Sequence, residues 1–400
     1  MAKHSFQSLV LVLNVIAFYR VVAQWTHESE SIFKLRLYMN CTNVVYESKN
    51  IVHSSYWVML NYVPAAHGNL KCYESVTYTT HADYRYLSNV GPLVKHWRSP
   101  ISLALYAPGL DFESTVKSIL WLRQCDPQSK LIVQWVSFHI YFDITEIPRN
   151  IPKTRALLKR KVWCRKPVQR RFYRLEKGLS YPVNVGRNIA RNASLTHYVL
   201  ASDIELYPSS GLARGFLQML MSNLSMLNSE TPNVYPLKIF EVQRSIAVPN
   251  TKTELQHLLA KGYAQPFHMA FCSSCHNGPR LPEWINTTDA SNSIKVFHIT
   301  KWMVKFRYWE PIYIGTKNDP LYDERLNWEG MWDKKSQTLI LCLLDYAFNT
   351  LDNAFLVHKP GIKLGTSRER LHKAHRTYRL LKRDIIDIAI KYSWRFNCAI

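Results

Sequence analysis

Three glycine signatures are missing from this chain: G-x-G-x-x-G, G-x-x-x-x-G-K-S/T and G-x-S-x-G. The first two absences argue against a dinucleotide enzyme and a P-loop ATPase, and the third removes the nucleophile elbow of an α/β-hydrolase. A long apolar run is missing as well. Leu9 to Tyr19 is interrupted by Asn14 and is about half of the roughly 20 residues that cross a bilayer, so a membrane anchor is the second choice for it. Acid is in short supply: 29 Asp and Glu face 51 Lys and Arg, for a net charge of +22. Such a surplus selects anionic partners, among them nucleic acid, acidic glycans, nucleotide sugars and lipid headgroups.

What is present points to the secretory lumen. Lys3 and His4 precede the apolar run, and Val21-Val22-Ala23 supplies small residues before Gln24, the layout of a signal peptide over 1–23 or of a short signal anchor. Four sequons, at Asn40, Asn192, Asn223 and Asn286, are glycan acceptors in that compartment. A lumenal address sets nucleic acid aside. The Golgi lumen is the expected location, or secretion if the signal is cut. Eight cysteines, at positions 41, 72, 125, 164, 272, 275, 342 and 398, read as disulfides there. Cys272-Ser-Ser-Cys275-His276 also fits a c-type haem attachment, but no haem-binding domain accompanies it. A zinc site would need two more ligands, with only His268 and His276 close by.

The 47% hydrophobic content of 400 residues is enough for one large core. An aromatic-rich lead-in, 24–75, comes before an alternation of strands and helices. Val76–His81 reads as a strand, Tyr84–Trp97 as a helix, Ile101–Ala107 as a strand, a helix follows with Asp111 as its cap, and Leu131–Ile140 is the next strand. This β-α-β-α-β order predicts an α/β fold with a mostly parallel central sheet and helices on both faces. Ten Lys or Arg lie between Lys153 and Arg174 without an acid, interleaved with Trp163, Phe172 and Tyr173, a phosphate- or glycan-facing patch or a solvated face. Asn184–Ala193 reads as a helix carrying Arg187, whose guanidinium matches a phosphate with two hydrogen bonds.

The chemistry concentrates at H-Y-V-L-A-S-D-I-E-L-Y-P, 197–208. Tyr198–Ala201 is apolar enough for a central strand and ends in Asp203 and Glu205. Two positions apart on an extended chain, both carboxylates project to one side, where hard oxygen donors suit Mn²⁺ or Mg²⁺ bridged to a diphosphate. Ligands of open α/β sheets collect at such strand ends. An isolated D-x-E is more often just an acidic turn. His358, behind Phe355-Leu356-Val357, reads by itself as a buried histidine.

Several blocks in order change that balance. Tyr78-Thr-Thr-His81, Ser99 to Pro108, Asn184-Val-Gly-Arg-Asn188, Ser202 to Pro208, Val234 to Glu241, Trp309-Glu-Pro-Ile-Tyr313, Pro320 to Arg325 and Ala354 to Lys359 together resemble glycosyltransferase family 49. The resemblance implies a GT-A nucleotide-diphospho-sugar transferase domain over 76–365, with a basic helical extension over 366–400. It further implies a UDP-sugar donor, Mn²⁺ or Mg²⁺, and inversion at the transferred sugar, glucuronate being favoured over N-acetylglucosamine and the acceptor being a glycoprotein glycan. Asp203, Glu205 and His358 map onto the metal ligands; Thr80, Arg187, Asn188 and Asp203 map onto the donor site. The base that takes the acceptor proton falls to Asp323, Glu324 or Asp333, with Asp323 preferred. Trp328 and Trp332 are placed to stack on a sugar or to fill core.

The chain differs from the family's pattern in two places. Glu205 stands where Asp is usual, and Leu326 to Gln337 lacks the aromatic-Gly pair followed by Asn and a basic residue. Those differences leave a competing reading, a catalytically silent glycan-binding protein on the same fold.

Overall fold

The computed structural model describes residues 33, 35–165, 172–227, 229–270, 272, 278–288, 291–326, 332–362, 365, 368–393, 395 and 397–398. The expected signal segment, Cys275, His276, Trp328 and Glu329 lie outside these residues. Thirteen strands are described: β1 Lys49–His53, β2 Tyr56–Val63, β3 Val76–Ala82, β4 Ile101–Tyr106, β5 Val136–Asp143, β6 Tyr198–Ala201, β7 Leu206–Pro208, β8 Asn233–Val242, β9 Ala264–Pro266, β10 Lys295–Lys301, β11 Ile312–Thr316, β12 Ala347–Asp352 and β13 Phe355–His358.

Four of them, in the order β5-β4-β3-β6, form a parallel centre. Antiparallel strands extend it both ways. β1 and β2, from the lead-in, add to β5, and β11 joins β6 to β8, beyond which β12 runs parallel to β8 and β10 antiparallel to β12. Helices cover both faces, and the alternation along β4 records it. Leu103 and Leu105 enter the large core with Phe112 and Ile119 of the helix Asp111–Gln124, whereas Ala104 and Tyr106 pack with Val183 and Ile189 of the helix Val183–Asn192. All six β4 side chains are buried, as a strand covered on both faces requires. The expected α/β architecture is therefore present.

Three local expectations need correction. Leu131–Ile140 is not one strand: Ser129–Trp135 is a helix and β5 starts at Val136. Apolar residues recur through both with no turn residue between them, so hydrophobicity alone could not divide the stretch. Asp111 does not cap its helix, whose N-cap is Leu110; instead its carboxylate accepts the backbone N–H groups of Tyr173 and Arg174 at 2.9 and 3.0 Å. Tyr84–Trp97 divides into a 3₁₀ segment, Tyr84–Asn89, and an α-helix, Val90–Trp97.

Disulfides join Cys41 to Cys72, Cys125 to Cys164 and Cys342 to Cys398, and Cys272 is disulfide-bonded too. The helix Arg368–Tyr392 lies where the helical extension was expected, and Cys342–Cys398 fastens the chain beyond it to the helix Lys335–Leu343. Among the described residues no helix is long and apolar enough to cross a membrane.

Candidate active site

The site gathers at the carboxyl end of β6. Tyr198–Ala201 pairs with β3 on one side and β11 on the other, which fixes where the following residues emerge. Asp203 and Glu205 are not on extended chain, however. A turn closes there, with the Leu206 N–H donating to the Asp203 carbonyl at 3.0 Å and the Tyr78 hydroxyl donating to the same carbonyl at 2.9 Å. The two-residue alternation assumed for this pair is therefore broken, and the carboxylates face different partners.

Asp203 faces cations. One Nη of Arg187 donates to its Oδ1 at 2.9 Å, Lys334 Nζ lies 3.5 Å from Oδ2, and His81 Nε2 lies 3.5 Å from Oδ1. Burial opposes ionisation of Asp203, but Lys334 and Arg187 outweigh it and hold the carboxyl well below the usual carboxylate range. His81 is itself pushed down by burial, and its Nδ1 lies 2.8 Å from the Tyr181 hydroxyl.

Arg187 takes its position from the helix Val183–Asn192, one turn after Asn184. Its guanidinium donates to Asn184 Oδ1 at 2.9 Å, ion-pairs with Asp333 and stacks over Tyr322, 5.2 Å from the ring centroid. The fork expected for a phosphate is thus occupied by two carboxylates.

Glu205 and His358 face one another. β13 runs beside β7 with His358 opposite Leu206, which brings a residue 153 positions later against the acidic turn. His358 Nε2 lies 3.8 Å from Glu205 Oε2, while Nδ1 is 2.9 Å from the Lys359 carbonyl. That carbonyl only accepts, so Nδ1 carries a proton and Nε2 is the ring atom turned toward Glu205. Nε2 is buried and has no hydrogen-bond partner. Lys359 ion-pairs with Glu205 Oε1, and although burial works against the charge, His358 and Lys359 bring the Glu205 carboxyl down to about 2. Glu241, opposite His358 on β8, is fully buried with an unpartnered Oε1.

An imidazole nitrogen and carboxylate oxygens are donors that Mn²⁺ accepts, and the orphaned Nε2 aimed at Glu205 fits such an ion. Among the described residues, no three His, Cys, Asp or Glu side chains converge to hold a metal, because Asp203 is turned toward Arg187 and Lys334.

The other expected site residues fall out as follows. Thr80 is fully buried on β3 with its hydroxyl unpartnered. Asn188 uses its amide to grip the segment Tyr322–Glu324: Nδ2 donates to the Tyr322 carbonyl at 2.8 Å and to Glu324 Oε1 at 2.9 Å, and Oδ1 accepts the Tyr322 N–H at 3.0 Å. Asp323 has both oxygens occupied by Arg325, at 3.0 Å on Oδ1 and 2.7 Å on Oδ2. Asp333 is buried against Arg187. Glu324 keeps 26% of its side chain accessible and contacts His53 Nε2 at 2.9 Å. Trp332 packs by Tyr378, with ring centroids 5.7 Å apart.

His53, His81, Tyr322, Lys334 and Lys359 were not legible as site members. His53 and Lys334 lie in stretches without a signal, whereas His81, Tyr322 and Lys359 lie within blocks that carry the family resemblance; all five are brought to the site by chain pairing.

The chain is 29% identical over 316 residues to beta-1,4-glucuronyltransferase 1 of Danio rerio, covering 76% of this chain and 70% of that one. It is 28% identical over 295 residues to the Homo sapiens protein of the same name, covering 71% and 68%. The xylosyl- and glucuronyltransferase LARGE1 of Gallus gallus is 25% identical over 307 residues, 76% of this chain but 33% of its own length. Among solved structures, S. aureus TarS superposes with a TM-score of 0.34 at 10% identity, over 79% of this chain and 40% of that one; nothing is drawn from it. The family model described as "Glycosyl-transferase for dystroglycan" matches residues 75–393. By that match the chain belongs to glycosyltransferase family 49.

Proposed function

We propose that this protein is a lumenal, metal-dependent, inverting transferase of GT-A type that moves glucuronate from its UDP donor to a glycoprotein glycan. One observation carries the reading: at the end of β6, Glu205 faces the buried, unpartnered Nε2 of His358 while Asp203 stands on the same turn with 38% of its side chain accessible. Glu205 and His358 would hold a divalent cation, joined by Asp203 once it turns from Lys334, and such an ion would supply charge that stabilises a departing diphosphate. Names of the relatives favour glucuronate over N-acetylglucosamine. All four sequon asparagines are exposed, which supports a lumenal location.

This chain's own residues supply the rest. Arg187 orients Asp203 rather than binding phosphate directly, and Asn188 fixes the acceptor-side segment on the same helix face. The base is Glu324, not the Asp323 preferred from the sequence. Arg325 occupies both Asp323 oxygens and Asp333 neutralises Arg187, whereas Glu324 is accessible and backed by His53, which can carry the proton onward.

UDP release tests the reading. Purified protein with Mn²⁺ is expected to release UDP from UDP-glucuronate in the presence of a glycan acceptor, and Asp203→Ala to lose that release by on the order of a hundredfold or more. Release that survives Asp203→Ala would refute the metal assignment. Binding of glycan without release from either donor would select the silent binder.

A further inference from the structure

The acid-free run that begins at Lys153 takes no part in the cleft, and its course shows where it goes instead. The helix Asp111–Gln124 leaves the carboxyl end of β4 and the chain must return to the amino end of β5, because those strands are parallel. Its last residue therefore lies toward the amino ends of the central strands, away from the turn after β6. There Gln124 holds the basic segment: its Nε2 donates to the Arg160 carbonyl at 2.8 Å, and its Oε1 accepts the Val162 N–H at 3.1 Å. The Cys125–Cys164 disulfide fastens the other side. Between these two ties stands Trp163, 93% exposed and the most exposed large apolar side chain among the described residues. Val162 beside it packs onto the core, so the indole is left outside alone. Arg160, Lys161 and Arg165 flank it, also exposed, with Lys153, Arg155 and Lys159 upstream. Among the described residues none of these six cations pairs with a carboxylate. Arg160 acts on Glu113, but Lys117 already holds that carboxylate at 2.6 Å.

We propose that the segment 160–165 is a docking site for an acidic glycan chain, on a side of the molecule away from the transferase cleft. Repulsion among like charges and an apolar ring in water both work against the folded chain, and an anionic partner with an apolar face relieves both. One sugar ring lays its C–H face on the Trp163 indole, while carboxylate or sulfate groups of neighbouring sugars pair with Arg160, Lys161 and Arg165. A glycan fits better than a lipid surface. Within 159–165 Trp163 is the one large apolar side chain turned outward, and a segment lying in a membrane needs a broader apolar face. The assignment goes beyond the transfer reaction and does not depend on its metal: a chain held here stays close to the protein between visits to the cleft.

Calorimetric titration of the full chain with a heparin octasaccharide tests this, with a neutral dextran oligosaccharide of similar length as control. Wild type is expected to bind the heparin fragment and to bind dextran at least roughly tenfold more weakly. Trp163→Ala should weaken heparin binding about 2- to 10-fold, the loss of one aromatic stack. Lys161→Glu combined with Arg165→Glu should weaken it roughly tenfold, as two exposed ion pairs turn repulsive. Arg244→Glu combined with Lys261→Glu makes the same change of net charge at two exposed cations elsewhere and should leave affinity within about twofold. Thermal melts confirm that every variant is folded. Equal losses in the two double variants would overturn the proposal, since only the overall field would then be acting. Wild-type affinity in Trp163→Ala, or no heparin binding by wild type, would overturn it too. Tighter binding to phosphatidylserine vesicles than to heparin, abolished by Trp163→Ala, would assign the surface to lipid instead. Each of these failures leaves the proposed transferase standing, because no variant touches the turn after β6.

Discussion

Arg187 shows how much one side chain can be asked to do. It is buried, bonded to Asn184, paired with Asp333 and donating to Asp203, so it sets the orientation of the Asp203 carboxylate. Burial works against its charge, and Asp333 and Asp203 more than restore it, which keeps it permanently cationic. Glu324 has the opposite character, accessible and only partly satisfied. Glu324→Gln preserves its shape and its bond from Asn188 while removing the proposed base, so kcat is expected to fall about 10²- to 10⁴-fold with little change in UDP binding; steady-state rates alongside calorimetric UDP titration check both halves. Lys238 offers a pH readout away from the site. It is buried on β8 with Nζ donating to the Pro279 carbonyl at 2.7 Å, and burial brings its amine down to about 7. Below that pH the folded protein carries a buried charge. As pH rises from about 7 toward the ordinary lysine value, the folded form is neutral and the unfolded form still binds the proton, so this cost shrinks. Lys238→Met is therefore expected to be stabilising relative to wild type near pH 7, and the difference in melting temperature should narrow steadily toward pH 10.

At the scale of elements, the site is a meeting of ends. β6 delivers the acidic turn, β13 brings His358 against it, and the helix Val183–Asn192 presents Asn184, Arg187 and Asn188 on successive turns to the segment that carries Tyr322, Glu324 and Asp333. The far side of that segment is tied down as well. Arg325 reaches Asp384 and Asp387 of the helix Arg368–Tyr392, each at 3.1 Å, and Cys342–Cys398 fastens the end of the chain to the helix that follows Lys334. Removing this tie should be costly. Cys398→Ser opens a loop of 56 residues and is expected to lower unfolding free energy by about 2 to 4 kcal/mol, measurable by chemical denaturation of the oxidised protein. A tie that only decorates the surface would change it by far less.

Across the whole molecule, the surplus of 22 positive charges makes the surface a field for anions. A carboxylated sugar chain approaching it should be drawn in from beyond contact distance, and salt should screen that attraction. Raising ionic strength from about 0.05 to about 0.3 M is expected to raise KM for an acidic glycan acceptor several-fold while leaving KM for a neutral analogue nearly unchanged. Equal responses of the two acceptors would show that the field acts on the donor alone.

Strand-forming runs and the acidic pair were legible in the sequence because burial on both faces favours apolar, β-branched and aromatic residues, as in β3, β4 and β6, and because carboxylates at a strand end stand out against such a run. Composition and cysteine content likewise fixed a basic, disulfide-bonded α/β chain. The boundary at Val136 was hidden, since a buried helix and a buried strand share the same apolar residues and only pairing with β4 tells them apart. The partners of each acid were hidden for a different reason. Hydrogen bonds and ion pairs act over a few ångströms of space, whereas His53, Lys334 and Lys359 stand up to 271 positions from the groups they touch. Sequence determined which residue types were available to bind a cation and a diphosphate; the turn after β6 and the pairing of β13 with β7 decided which of them meet, because only the folded chain converts separation in sequence into contact.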